Sequence, residues 1–267
     1  MRLHAAAALG LITLASLFVP TVSAQRAVPR AQAAVPRDSA VPFKVGETLT
    51  YDVSWSSYMV AGTAVATVRE RRQAPPNSAA YYIVAEGRPL PLISRLYSLY
   101  YKMDTLIDTS TLLPQEMSLY SEEGRRQRLG KTRFDRPARR ALFEITGGTD
   151  TFKNTINVPA QALDGLSALY AVRASSFSPG TKLTYPILDE GQMYTVTMLA
   201  TATERVRAPI GELNTWKLAV SIVDSQGETV GQNVGIWLSN DARKLPVKLQ
   251  ADLPVGSFTL ALREATN

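Results

Sequence analysis

The chain has 267 residues, of which 45% are hydrophobic and 19% charged, and its formal net charge is +6. Such a length and composition are typical of one or two globular domains. The chain contains no cysteine and a single histidine, His4. Cysteine nucleophiles and disulfide bonds are therefore excluded, and stability must come from the core.

Residues 1–24 have the pattern of a secretory signal peptide, with a basic start, an apolar run at 5–19 and small residues up to Ala24. We expect cleavage after Ala24 and export of a soluble protein to the periplasm or the exterior. Because Gln25 rather than cysteine follows, a lipid anchor is not expected. Cleavage removes His4, which excludes a Ser-His-Asp triad and the usual zinc, copper and haem ligands. No metal or other cofactor is predicted.

Residues 25–42 repeat Ala-Val-Pro three times and are rich in proline and alanine. Because proline blocks helix and sheet hydrogen bonds, this segment predicts a disordered tether. Residues 43–267 are expected to form a single domain, in which apolar and polar residues alternate in the manner of β-strands. Short turn signals between these segments favour antiparallel neighbours.

Residues 162–174 break this alternation with apolar residues at helical spacing, and Asp164 is a candidate helix cap. Residues 89–96 are a second candidate helix, interrupted by two prolines. The expected fold is all-β with one central helix. About ten to twelve antiparallel strands would form a curved sheet that closes into a barrel or half-barrel, a sandwich being the alternative.

A series of short motifs runs through the domain in a defined order. They are Phe43-x-x-Gly46-Glu47-x-Leu49-x-Tyr51, Ala61-Gly62, Leu113-Pro114, Phe134-Asp135, Ser167-Ala168-Leu169-Tyr170, Pro209-x-Gly211 and Trp237-Leu238-Ser239. This order resembles the domain of unknown function 3108 family of exported bacterial proteins, over about 43–264. The resemblance implies a β-rich envelope protein without established activity, and it transfers no catalytic residue. Residues 237–247 also resemble the closing strands of periplasmic lipoprotein carriers, a likeness of fold only.

Catalytic motifs are weak throughout. Residues 124–132 resemble a phosphate-binding loop with one residue too many, and their flanks predict a hairpin turn instead. Neither G-x-S-x-G nor S-x-x-K occurs. Five carboxylates on polar strand faces or near turns are candidates for a glycosidase-type reaction, namely Asp52, Asp104, Asp108, Glu204 and Asp241. The alternative for each is an ordinary solvated carboxylate. We therefore expect a protein that is not an enzyme, a hydrolase of envelope polysaccharide being the alternative.

Residues 125–140 carry eight basic residues and one acidic residue, so the excess positive charge lies in one segment. Alternation places Arg126 and Arg128 on one strand face and Arg125, Lys131 and Arg133 on the other, and neither face is predicted to pack against a core. Since guanidinium groups bind phosphate bidentately, these five residues are candidates for binding an anionic lipid headgroup or envelope polymer. The alternative is a solvated edge strand that opposes aggregation.

Aromatic and methionine side chains are candidates for the lining of an apolar cavity closed by the helix at 162–174, namely Tyr97, Tyr101, Met103, Tyr194, Met198 and Trp237. For most of them the alternative is ordinary core packing. The sequence thus favours a binding or carrier module for a lipophilic anionic envelope molecule, with peripheral membrane contact and no nucleic-acid partner. A protein-binding scaffold that uses exposed strand edges is the further alternative. The sequence does not indicate the oligomeric state.

Overall fold

The computed structural model describes residues 40–56, 59–74, 78–95, 98–253 and 256–266. The predicted signal peptide and residues 25–39 of the predicted tether lie outside these ranges, and so does Tyr97. Across the described ranges, none of the helices combines the length and the apolarity needed to cross a bilayer.

Strands account for most of the described chain. They are β1 Thr48–Trp55, β2 Met59–Ala74, β3 Ser78–Pro89, β4 Leu99–Asp108, β5 Pro114–Glu123, β6 Arg126–Asp135, β7 Arg140–Gly147, β8 Asp150–Asn157, β9 Lys182–Asp189, β10 Gln192–Ala208, β11 Gly211–Val223, β12 Gln232–Ser239, β13 Pro246–Leu253 and β14 Gly256–Thr266. Two helices interrupt them, α1 Pro91–Ser94 and α2 Gly165–Arg173. The strands outnumber the predicted ten to twelve. One reason is that β8 is exposed along almost its whole length, so it lacks the alternation that reveals a half-buried strand.

All the strands belong to one antiparallel sheet in the order β8-β7-β6-β5-β4-β3-β2-β1-β14-β13-β12-β11-β10-β9. Nearly every strand therefore pairs with its neighbour in sequence, as short hairpin connections require. The exception is the pair formed by β1 and β14, in which Leu49 lies opposite Ala265. The edge strands β8 and β9 do not pair with each other, so the sheet is curved but not closed. The predicted all-β antiparallel fold is confirmed.

Residues 158–163 bridge the gap between the two edge strands. The Val158 N–H donates to the Arg139 carbonyl at 2.9 Å, and the Leu163 N–H donates to the Pro186 carbonyl at 2.9 Å. The Arg136 guanidinium reinforces the bridge by donating to the Ala162 carbonyl at 2.8 Å. This backbone segment therefore occupies part of the opening that sheet pairing leaves.

The helix α2 lies inside the curved sheet. It packs against both β4 and β9, although eight strands separate these two in the sheet order, so the sheet must bend around it. Asp164 caps the helix, because its carboxylate accepts the Ser167 N–H at 2.8 Å while the Ser167 hydroxyl accepts the Asp164 N–H at 3.0 Å. Leu166, Ala168 and Val172 are buried against the strands. We call the sheet surface that faces α2 the inner face.

A buried ion pair fixes the C-terminal end of α2. Arg173, fully buried, donates from its two terminal nitrogens to the Glu47 carboxylate at 2.7 and 2.8 Å and from Nε to the Lys244 carbonyl at 3.1 Å. Burial opposes the positive charge of Arg173, but the hydrogen bonds and charge of Glu47 outweigh this and raise the pKa of the guanidinium. We call this end of the sheet, where β1 begins, the closed end.

The long hairpin of β10 and β11 adds a second layer. Beyond a bulge between Ala200 and Ala202, its far half contacts β13 and β14, and the Ile210 N–H donates to the Leu262 carbonyl at 3.0 Å. Val206 and Ala208 of this hairpin pack in one buried cluster whose other members include Leu49, Val247, Leu262 and Trp237. The domain therefore has two cores, one around α2 and one under this hairpin.

Candidate functional site

The inner face extends beyond the part that α2 covers. Thr105 of β4 is buried and donates its hydroxyl to the Asp164 carboxylate at 2.8 Å, which places the start of α2 beside it. Since strand residues alternate between faces, Met103 and Tyr101 follow Thr105 on the same face. Met103 is only half-buried and Tyr101 is 38% exposed. They lead away from the closed end toward the end where the β1–β2, β3–β4 and β5–β6 turns lie, which we call the open end.

Half-buried apolar residues continue the inner face from the buried cores toward the open end, and several of them pack against those cores. Strand register places Met103 opposite Ala85 on one side and Leu119 on the other. Val53 lies opposite Leu260, which in turn lies opposite Leu249. The set of half-buried residues, which we call the inner strip, comprises Leu119, Met103, Ala85, Val53, Leu260 and Leu249. An apolar surface of this kind could contact a lipophilic ligand.

The basic strand β6 contributes to both faces of the sheet. Thr132 and Phe134 are buried, so the prediction that neither face of this segment packs against a core is wrong. Gly130, Thr132 and Phe134 form the buried face of β6. Because glycine and threonine are only weakly hydrophobic, the alternation of this strand does not identify that face as buried. Arg128 belongs to this inner face and is half-buried, opposite Ser121 and Gly147. The inner strip therefore has a cation at its side.

The other basic candidates occupy different places. Arg126 is exposed at the open end of β6, opposite Glu123, and Arg125 lies in the preceding turn, as the predicted hairpin requires. Lys131 and Arg133 are exposed on the outer face of the sheet. One ligand cannot contact all five predicted basic residues at once, because the sheet itself separates them.

A cleft of about 290 Å³ on the outer face collects Lys131 and Arg133 together with three carboxylates, those of Asp104, Glu116 and Glu144. The Arg133 Nε lies 2.7 Å from the Glu116 carboxylate, so this cation already has a partner. Asp104 is the only one of the five predicted carboxylates that lines this cleft. A second cleft, of about 570 Å³, is lined by Asp108 and Asp135, so a carboxylate-based hydrolase, the alternative function, could use a carboxylate pair in either cleft.

The remaining predicted carboxylates are engaged elsewhere. Asp52 pairs with Arg263 at 2.8 Å, and Glu204 accepts a hydrogen bond from the Trp237 indole. Burial opposes the ionisation of Asp108 and Asp241, but hydrogen bonds from neighbouring groups outweigh it and lower the pKa of each. Both carboxylates therefore stabilise turns, and neither has the raised pKa of a general acid. Within the described ranges, no group of three or more acidic side chains is arranged to bind a metal ion.

The predicted apolar lining residues lie in different parts of the domain, some on the inner face near the open end and others within the two cores. Met103 belongs to the inner strip, and Tyr101 follows it on the inner face toward the open end. Met198 is 4% exposed in the core around α2, and Trp237 is 6% exposed in the core under the β10–β11 hairpin. Tyr194 is half-buried against the α2 core. The structure therefore assigns Met198 and Trp237 to packing rather than to an open ligand surface, because α2 and the hairpin cover them.

Five members of the strip were not among the predicted lining residues, namely Leu119, Ala85, Val53, Leu260 and Leu249. Alternation identifies Val53 and Leu260 as members of strands. Their proximity depends on the pairing of β1 with β14, across most of the chain, and no local pattern indicates that pairing.

Asp164 leads to a prediction about pH. Burial raises the pKa of its carboxyl, and hydrogen bonds from Ser167 and Thr105 only partly oppose this. The folded state therefore binds this proton more tightly than the unfolded state, so the group destabilises the fold as pH rises from the ordinary aspartate pKa of about 4 through the raised value. Asparagine also caps helices but does not titrate. We expect Asp164→Asn to become more stable relative to the wild type as pH rises through that window.

Urea unfolding of both proteins at several pH values between about 4 and 8 measures this difference. The pKa of Asp189 is raised by burial and by the charges of Glu190 and Asp164, so its titration would differ between the two proteins; Asp189→Asn is therefore introduced into both. A stability difference that stays constant over the whole range would show that folding does not raise the pKa of Asp164.

Comparison with known proteins places this geometry in a family. The family model described as "Protein of unknown function (DUF3108)" matches residues 50–263. A solved beta-barrel-like protein of domain of unknown function DUF1849, from Brucella abortus, is similar in fold with a TM-score of 0.50 at 9% identity, covering 83% of this chain and 97% of its own.

Two other solved structures are more distant. A protein from Bacteroides fragilis described as exported, with a YmcC-like fold, has a TM-score of 0.33 at 13% identity, covering 86% of this chain and 100% of its own. A protein from Parabacteroides distasonis described as a lipoprotein has a TM-score of 0.35 at 12% identity, with the same coverage. No curated protein matches the chain significantly.

Proposed function

Since the chain belongs to the DUF3108 family of proteins of unknown function, we propose from its own geometry that it binds an anionic amphiphile of the cell envelope without changing it chemically. The observation that carries the proposal is the inner strip, an apolar and half-buried continuation of the two cores toward the open end, with Arg128 on the same face of the sheet. The signal peptide predicted from the sequence supports the envelope as the location.

The inner strip is extensive enough for an acyl chain. Its six residues lie on six strands, and the distance from β5 to β13 in the sheet order is six strand spacings, because β2 lies between β3 and β1. At about 4.8 Å between strands, six spacings correspond to about 29 Å along the curved surface. Burial of the apolar tail against these side chains would supply most of the affinity.

Arg128 is the proposed contact for the anionic headgroup. Its cross-strand neighbours, Ser121 and Gly147, are both uncharged. Arg126 contributes less, because it lies opposite Glu123, which also accepts the Tyr101 hydroxyl. A half-buried guanidinium forms stronger hydrogen bonds to phosphate than an exposed one, since water competes less.

Removal of Arg128 tests the headgroup contact. We expect Arg128→Ser to bind a fluorescent lysophosphatidic acid at least about tenfold more weakly, because a hydrogen bond to a charged group contributes about 1.5–3 kcal/mol. Fluorescence titration below the micelle concentration of the probe measures the affinity.

The matched control is Arg133→Ser, which removes an arginine from the same strand but from the outer face. We expect this control to bind the probe as the wild type does. Equal affinities of all three proteins, or an equal loss in both variants, would refute the role of Arg128. Native mass spectrometry of the protein from its own envelope, followed by organic extraction, would identify the natural ligand.

A further inference from the structure

Three neighbouring hairpin tips meet at the open end of the sheet. They connect β1 with β2, β3 with β4 through α1, and β5 with β6. Backbone hydrogen bonds join them side by side, since the Leu90 N–H donates to the Ala61 carbonyl at 2.9 Å and the Gly124 N–H donates to the Ser98 carbonyl at 2.7 Å. The described residues of the three tips therefore lie side by side, and we call them the basic rim.

The basic rim exposes large apolar side chains. Trp55 is 49% exposed, Met59 62% and Leu92 71%. Trp55 and Met59 lie opposite each other at the ends of β1 and β2, and Leu92 belongs to α1 in the neighbouring connection. The Trp55 ring also stacks on Phe258, with 6.3 Å between the ring centroids, so it is held in place at the rim. Exposed aromatic and aliphatic side chains at the end of a sheet, next to cations, suit insertion at the level of lipid headgroups.

Positive charge surrounds these apolar residues. The exposed arginines of the basic rim are Arg88, Arg95, Arg125 and Arg126. The rim also carries the acids Glu122 and Glu123, and Arg88 lies 3.6 Å from the Glu86 carboxylate, so the rim is mixed in charge and its exposed excess is positive. The tips on the other side of the open end carry exposed acids instead, among them Asp150, Glu190 and Glu228. The open end is therefore polarised, with the apolar side chains on the basic half. This pattern is complementary to a surface that is apolar beneath and negatively charged at the interface.

We infer that the basic rim docks on a bilayer of anionic lipids. Trp55, Met59 and Leu92 insert at the level of the headgroups, and the arginines contact lipid phosphates. Docking in this orientation brings the part of the inner face near the open end next to the membrane, where an amphiphile could enter or leave. The role of docking in the entry or exit of an amphiphile rests on the proposed function. The test of docking itself does not require that function.

Vesicle binding tests the docking surface. We expect the wild-type protein to cosediment at low salt with vesicles of phosphatidylglycerol and phosphatidylcholine, and much less with phosphatidylcholine alone. Met59→Ser with Leu92→Ser should lower the partition coefficient about tenfold, and Arg95→Ser with Arg125→Ser should lower it by about fivefold per charge. Salt should weaken the binding of the wild type.

Matched controls distinguish binding through the basic rim from nonspecific binding of exposed leucines and arginines to vesicles. Leu142→Ser with Leu199→Ser removes two exposed leucines from outside the basic rim, and Arg140→Ser with Arg207→Ser removes two exposed arginines from the other end of the sheet. We expect both controls to bind vesicles as the wild type does. Equal losses in rim and control variants, or no binding to anionic vesicles, would overturn the inference.

Lipid quenching locates the contact. Vesicles containing brominated phosphatidylglycerol should quench the tryptophan fluorescence of the wild type, and Trp55→Phe should abolish most of that quenching. Because the lysophosphatidic acid titration is done without vesicles, the two proposals can fail separately. Intact probe binding with no quenching would overturn docking alone, and quenching without probe binding would overturn the ligand proposal alone.

Discussion

Glu47→Ala is expected to lower the free energy of unfolding by about 3–5 kcal/mol, because it leaves the guanidinium of Arg173 buried without a counter-charge. Arg173 is fully buried and forms two hydrogen bonds to Glu47, which is itself 2% exposed. The pair joins the start of β1 to the end of α2, so its loss should loosen the closed end as a whole.

Urea unfolding followed by circular dichroism measures this loss. The control is Glu116→Ala, because Glu116 forms an exposed ion pair with Arg133 at the same 2.7 Å separation. Exposed pairs contribute at most about 1 kcal/mol, so a similar loss in both variants would contradict our account. We also expect Glu47→Leu combined with Arg173→Met to recover much of the stability, since no charge is then left buried.

Trp237→Ala is expected to cost about 3–5 kcal/mol of stability, as large-to-small replacements in a core do. Trp237 lies under the β10–β11 hairpin, its indole donates to Glu204, and the ammonium of Lys248 lies 4.4 Å from its ring centroid. The substitution would open a cavity in this second core and remove the partner of a carboxylate.

Thermal or urea unfolding of Trp237→Ala should therefore show a large loss, whereas binding of lysophosphatidic acid under native conditions should be unchanged. The control is Trp55→Ala, which truncates a tryptophan that is 49% exposed and should lose less than half as much. A stable Trp237→Ala protein with weakened probe binding would instead support the cavity-lining role that the sequence indicates.

Local patterns predict much of this fold. Alternation identifies β1, β10 and β14, and the helical spacing at 162–174 marks the segment in which α2, Gly165–Arg173, forms with Asp164 as its cap. These features depend on residues close together in sequence. Such residues reveal an element when it has one buried and one exposed face.

The candidate site is predicted less well because it depends on distant pairing and on the direction in which the sheet curves. Arg128 and Lys131 are three residues apart, yet they lie on opposite faces of the sheet. Sequence alternation separates them but does not say which face surrounds α2. Trp237 shows the same limitation, since only the fold of the β10–β11 hairpin over it makes it a core residue.

The pairing of β1 with β14 has a consequence for the order of folding. These strands lie in the middle of the sheet, and Thr48 is paired with Thr266, 218 residues later. Hairpins on either side can form as soon as they are complete, but the two arms cannot join until the last strand is present. A chain that passes through a membrane pore N-terminus first would thus complete its interior, and any ligand surface that spans both arms, only when translocation is nearly finished.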